Sequence, residues 1–198
     1  MSLARSDPSR WKPAYPAYVP FLATDDADGL WGARLVMRFT RAQLHAAVEA
    51  AQLSDPRSVE YLTDMLVERQ RATGLTWFSR LDPLDHFAIA AGPEGATLTF
   101  DDLALVYRLR DDAATIHYRV TALDRDGHPI AAAVVGRADP DGHASVGAIA
   151  LASGRDGYTM LRITTTRPGT RPPTVVHVAR DPGSQQLRVI GIWRQPSR

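Results

Sequence analysis

The chain has 198 residues, 44% of them hydrophobic, which suffices for one large domain or a domain with a smaller subdomain around a real core. It contains no cysteine, so disulfide frameworks, thiolate metal sites and cysteine nucleophiles are excluded together. The formal net charge is +1 but unevenly spread: residues 81–154 sum to −6 and residues 155–198 to +6, and Lys12 is the sole lysine.

In chain order, the window Trp11-Lys-Pro-Ala-Tyr-Pro-Ala-Tyr-Val-Pro-Phe21 alternates prolines with aromatics. Proline lacks an N–H and fixes φ, so this stretch predicts an extended strap over residues 1–22, with Trp11, Tyr15 and Tyr18 pinned on helices or forming a sugar-stacking platform. Three helices follow within residues 23–90. The first opens at Asp25, Asp26 and Asp28, where carboxylates favour a helix N-terminus, and carries Leu30, Trp31, Leu35 and Phe39 on roughly one face to about Arg38. Thr40 and Gln43 have capping-box spacing for the second, whose apolar stripe is Leu44, Ala47, Val48 and Ala51. Asp55-Pro56, a cap followed by proline at the first helical position, opens the third. Val59, Leu62, Met65, Leu66 and Trp77 form its predicted buried side, and it continues through Gly74.

Pro83 forces a structured bend over residues 81–87, and Ala91-Gly-Pro-Glu-Gly95 reads as a hinge. Beyond it the periodicity changes from about 3.6 residues to strict alternation. Seven short runs, at 103–109, 115–122, 129–135, 145–151, 158–165, 174–179 and 187–193, are separated by Asp-Gly and Asp-Pro-Gly turns. The fold class is therefore α+β: a three-helix subdomain with its strap, then an antiparallel β-sandwich of immunoglobulin-like type over residues 96–198.

Candidate chemistry is sparse. Asp124-Arg-Asp-Gly-His128 and Asp139-Pro-Asp-Gly-His143 are two copies of D-x-D-G-H. Asp124, Asp126, Asp139 and Asp141 have the look of calcium-loop carboxylates, but an EF-hand needs a bidentate glutamate at its twelfth position, where Val135 and Ala150 stand. Glycine after aspartate between alternating runs predicts hairpin turns instead, and no metal. Asp82, Asp85 and His86 are the densest ionisable cluster before the hinge and the only candidates for acid–base catalysis; on a proline bend these aspartates predict backbone capping. Nucleophile-elbow, P-loop, dinucleotide-binding, zincin and kinase signatures are lacking, and the sequence predicts no cofactor. The arginines of the last third are dispersed with no aromatics interleaved to stack bases, so they predict neutralisation of acidic strands rather than a nucleic-acid partner. No run approaches the ~18 apolar residues of a membrane span, and the first residues hold no signal-peptide core, so a soluble chain is expected.

Taken in order, Trp11-Lys-Pro-Ala-Tyr-Pro16, Leu30-Trp-Gly-Ala-Arg34, Phe39-Thr40, Ser54-Asp-Pro56, Tyr61-Leu62, Leu66-Val-Glu-Arg69, Pro83-Leu-Asp85, Leu98-Thr-Phe100 and Ile190-Gly-Ile-Trp-Arg194 span most of the chain. In these segments it resembles the C-terminal region of large, uncharacterised bacterial proteins of envelope or secreted type. The resemblance implies a tail module, with an upstream domain or another protein as partner and an envelope or secreted setting; it implies no catalytic residue. The expected function is a non-catalytic accessory or interaction module. Two alternatives are a carbohydrate- or surface-binding module, and a hydrolase or transferase at an inter-domain crevice built from Asp82, Asp85, His86, Asp101 and Asp102.

Overall fold

The computed structural model describes Pro8, Val19 and residues 23–154, 157–169 and 171–194. It comprises two units, Met1–Arg80 and Leu81–Arg198. The predicted strap lies outside the described residues apart from Pro8 and Val19, and Val19 is helical and exposed.

In the first unit, α1 spans Asp26–Met37, α2 Arg41–Glu49 and α3 Pro56–Trp77. Each begins where its sequence supplies a cap. Asp25 and Asp28 form a reciprocal capping box on α1, Thr40 and Gln43 form one on α2, and the Asp55 carboxylate accepts from the Arg57 amide ahead of α3. α1 ends against α3: the Gln70 amide donates to the Val36 and Phe39 carbonyls, both at 2.8 Å, satisfying acceptors that a helix terminus otherwise leaves open. The helix contact rests on a small residue, because the Trp77 ring occupies the space that a Cβ on Gly29 would need, 2.0 Å from that point. Arg80 lies over the same ring, 4.5 Å from its centroid, and pairs with Asp26 at 2.9 Å.

The buried face of α1 is thus Gly29, Leu30, Ala33 and Met37, whose small members admit close approach. Trp31, Leu35 and Phe39, expected on one buried face with Leu30, are 63%, 41% and 55% exposed. On α3, Thr63 and Gly74 are buried while Leu62 and Leu66 are exposed. Thr63 is accommodated by donating its hydroxyl to the Val59 carbonyl at 2.8 Å.

Among its described residues the second unit contains eight strands: β1 Leu84–Gly92, β2 Gly95–Asp102, β3 Tyr118–Leu123, β4 Val134–Ala138, β5 His143–Ile149, β6 Thr159–Thr165, β7 Thr174–Arg180 and β8 Leu187–Arg194, with a one-turn helix α4 at Leu103–Val106. They form one antiparallel sheet in the order β1-β2-β5-β4-β3-β6-β7-β8. This nearly barrel-shaped arrangement does not confirm the predicted two-sheet sandwich. β4 joins the two halves of the sheet through three residue pairs to β3 and two to β5. At the ends of the order, Arg194 of β8 donates to the Leu84 carbonyl of β1, so the sheet curls almost into a barrel. Inside lie Leu84, Leu98, Phe100, Tyr118, Val120, Val146, Leu161, Ile163, Val176 and Val178. Core residues alternate with more exposed ones along β2, β3 and β5, as in a half-buried sheet, whereas β7 is buried almost throughout and β8 turns Ile190, Ile192 and Trp193 outward.

Three predicted elements differ. Residues 81–87 do not form only a bend, since β1 starts at Leu84; residues 91–95 are the turn of the β1–β2 hairpin, with Gly92 opposite Gly95. The run 103–109 opens as α4, because the Asp102 carboxylate accepts from the Ala104 amide at 3.1 Å and caps a helical turn. Opposite charge does unite the acidic and basic stretches, through Arg167 with Asp82 and Asp102 and through Arg171 with Asp82. Among the described residues no helix is long and apolar enough to cross a membrane.

Candidate functional site

Asp101 and Asp102 close β2, and because neighbouring side chains on a strand point to opposite faces they serve two different clusters. Asp102 points inward and is fully buried. Its carboxylate accepts from the Tyr118 hydroxyl at 2.5 Å, from Arg167 Nη2 and, as the cap of α4, from the Ala104 amide. Asp82, also buried, accepts from the Thr165 hydroxyl at 2.9 and 3.0 Å and from Arg171 Nη1 at 3.3 Å, and lies 3.7 Å from Arg167 Nη1. Two carboxylates and two guanidiniums therefore balance inside the barrel end, as buried charges must. Among the described residues Arg167 Nε and Nη1 have no hydrogen-bond partner. The Tyr118 hydroxyl is pushed well above its ordinary pKa of 10, first by burial and then by the charge of Asp102 and their hydrogen bond, so it stays a donor.

Asp101 points outward and holds two imidazoles: His86 Nδ1 from β1 at 2.8 Å and His143 Nδ1 from β5 at 2.6 Å, one on each oxygen. His86 sits in the left-handed region at φ 53°, within the register shift of β1 between Asp85 and Ala88. A non-glycine residue there is strained, and the Asp101 bond helps to hold it. Burial raises the Asp101 carboxyl, but the His86 and His143 hydrogen bonds outweigh it and its pKa falls below the usual 3.8. The His143 pKa rises above 6.5, chiefly through the hydrogen bond and charge of Asp101. The chemistry available is that of an oriented, exposed imidazolium–carboxylate pair able to give up a proton. Both imidazoles are more than half exposed, with side-chain accessibilities of 66% and 62%.

The D-x-D-G-H segments are matching turns. Asp124 Oδ1 accepts from the Asp126 and His128 amides at 3.0 and 2.8 Å; Asp139 Oδ1 accepts from the Asp141 and His143 amides at 3.0 and 2.9 Å. Gly127 and Gly142 take the left-handed position, φ 85° and 92°. Asp124 is held below the usual carboxylate range, first by the His128 amide. Beside the first turn opens a cleft of about 850 Å³ lined by Asp124, Arg125, Asp126, Tyr158, Arg180 and Gln185. Tyr158 carries Arg125 over its ring at 5.8 Å, and its hydroxyl lies 2.7 Å from His177 Nδ1.

The structure thus disperses the catalytic candidates. Asp82 is locked in the buried ion network, Asp85 is buried 3.8 Å from His86, and His86 alone of the three is exposed. All belong to the second unit, as do Asp101 and Asp102. Sequence reading missed Tyr118, Arg167 and the pairing of His143 with Asp101. The only available signal was the Asp101-Asp102 pair at the end of an alternating run. Comparison with family models, with curated proteins and with solved structures gives no match.

Proposed function

We propose that the chain is a non-catalytic accessory module whose helical unit docks on another protein surface, an upstream domain or a separate chain, while the β unit is a rigid support. The observation that carries this is the set Trp31, Leu35 and Phe39, spaced by four residues and all exposed: Trp31 and Leu35 on the side of α1 turned away from its buried face, and Phe39 just beyond the end of that helix. A contiguous apolar stripe left in water costs free energy that a docked surface recovers. Two of the acid–base candidates support the same reading, because Asp82 and Asp102 are consumed in buried ion pairs within the β unit.

The test is a triple variant, Trp31→Ser/Leu35→Ser/Phe39→Ser. Its melting free energy should stay within about 0.5 kcal/mol of wild type, as for surface positions, while binding of a hydrophobic dye falls. A photocrosslinking residue at position 35 in the source cell should give one discrete protein adduct that vanishes when Trp31 and Phe39 are serine. Loss of folding in the triple variant, or absence of an adduct, overturns the reading.

A second reading, a hydrolase or transferase, is favoured only by the His86–Asp101–His143 cluster. Turnover in an ester, phosphate and glycoside screen that disappears in Asp101→Asn, with an unchanged melting temperature, would establish it in place of the first.

A further inference from the structure

We propose that the first D-x-D-G-H turn binds one divalent transition-metal ion through Asp124, Asp126 and His128, and that the second copy of the motif does not. One donor atom from each of the three residues lies within 4.8 Å of the other two. An ion with bonds of about 2.0–2.2 Å spans donors roughly 4 Å apart, so small rotations of exposed side chains close the set. The backbone duty of the turn uses only Asp124 Oδ1. Asp124 Oδ2 faces His128 Nδ1 at 3.6 Å, too far for a hydrogen bond, and the Asp126 carboxylate has no partner among the described residues.

The second copy is an internal control. Its backbone bonds match those of the first within 0.1 Å, and in both copies the turn uses the histidine's backbone amide rather than its ring. There the histidine has other work: His143 is drawn to Asp101 at 2.6 Å. Among the described residues His128 has no such carboxylate outside its own turn. Independently, Asp124 and Asp126 both face the cleft of about 850 Å³, which gives an ion a route in and room for the waters or ligand atoms that complete its coordination.

The donor set selects the metal. Calcium takes six to eight oxygens and this loop lacks the bidentate glutamate, Val135 standing in its place. One imidazole with two carboxylates suits zinc, nickel or cobalt better. Arg125 and Arg180 line the same cleft, and their positive charge opposes every divalent cation alike, so the bond to the imidazole, which favours the transition metals, decides between them.

Isothermal titration of tag-free full-length chain with zinc chloride, repeated with nickel and calcium, tests the assignment. Saturable binding of one zinc or nickel ion per chain is expected, weakened more than about tenfold by His128→Ala and by Asp126→Asn, and unchanged by His143→Ala. Neither His128 nor Asp126 donates a side chain to the fold, so both variants should melt as wild type does. Cobalt should give d–d absorption that His128→Ala removes. The proposal is overturned by an absence of saturable zinc or nickel binding, by binding that His128→Ala leaves intact, by equal loss in His143→Ala, or by calcium binding as tightly as zinc.

Discussion

Gly29 shows how one missing methyl group sets a helix contact. An alanine there would gain about 1 kcal/mol of helix propensity, yet its Cβ would stand 2.0 Å from the Trp77 ring, a collision with a rigid side chain. We expect Gly29→Ala to destabilise the helical unit by about 1–3 kcal/mol in urea unfolding; a neutral or stabilised variant would mean that Trp77 is free to move aside. Arg167 is the corresponding residue inside the barrel. Arg167→Met leaves Asp102 and Asp82 with less compensation in the interior and should cost about 3–5 kcal/mol, part of which Asp102→Asn restores in the double variant. A loss below about 1 kcal/mol would show that these carboxylates find other partners. The His143–Asp101 pair gives a pH signature. Asp101, depressed in the fold, contributes stability above the ordinary carboxyl range, and this is lost as pH falls through its folded pKa. His143, raised in the fold, contributes fully below its ordinary 6.5 and loses that contribution as pH rises through its higher folded value. The melting-temperature difference between wild type and His143→Ala should therefore be largest near pH 5 and shrink toward both pH 9 and pH 2. A difference that grows above pH 8 would contradict the assignment.

Between the two D-x-D-G-H turns the same element meets two surroundings. Both glycines hold positive φ, but a Cβ on Gly127 would meet nothing within 4 Å, whereas one on Gly142 would come within 2.7 Å of the Val106 amide nitrogen and 3.0 Å of the Asp102 carbonyl. Gly127→Ala should cost about 1–2 kcal/mol from backbone conformation alone, and Gly142→Ala a further 1–3 kcal/mol from crowding against α4. Equal losses measured by calorimetry would remove the distinction. These turns were legible in the sequence because Asp-Gly acts through local hydrogen bonds, and so were the helix caps at Asp25, Thr40 and Asp55. β1 and β2 were not, because Pro83 and the Gly-Pro-Glu-Gly segment signal interruption equally well for a bend, a hinge or a hairpin. The single sheet was hidden for a different reason: β2 passes over β3 and β4 to reach β5, a choice made by long-range packing. The partners of the buried aspartates share that limit, since Arg167 lies 65 residues beyond Asp102.

For the molecule as a whole, the division after Arg80 separates a thinly packed helical unit from a well-filled β unit. Residues 81–198 contain their own core and internally balanced buried charges, so as a separate fragment they should unfold in one cooperative transition. A fragment that lacks near-ultraviolet circular dichroism would show that the helical unit is needed for packing.

The Arg194 bond to the Leu84 carbonyl brings the last strand of the β unit alongside the beginning of its first. Entry and exit of the polypeptide therefore adjoin, which is the arrangement that tolerates circular permutation and insertion into a foreign loop. Joining residues 194 and 81 by a glycine-serine bridge, which keeps Asp82, and opening the chain at the exposed Arg125–Asp126 bond would relocate the ends to that turn while leaving every strand pairing in place.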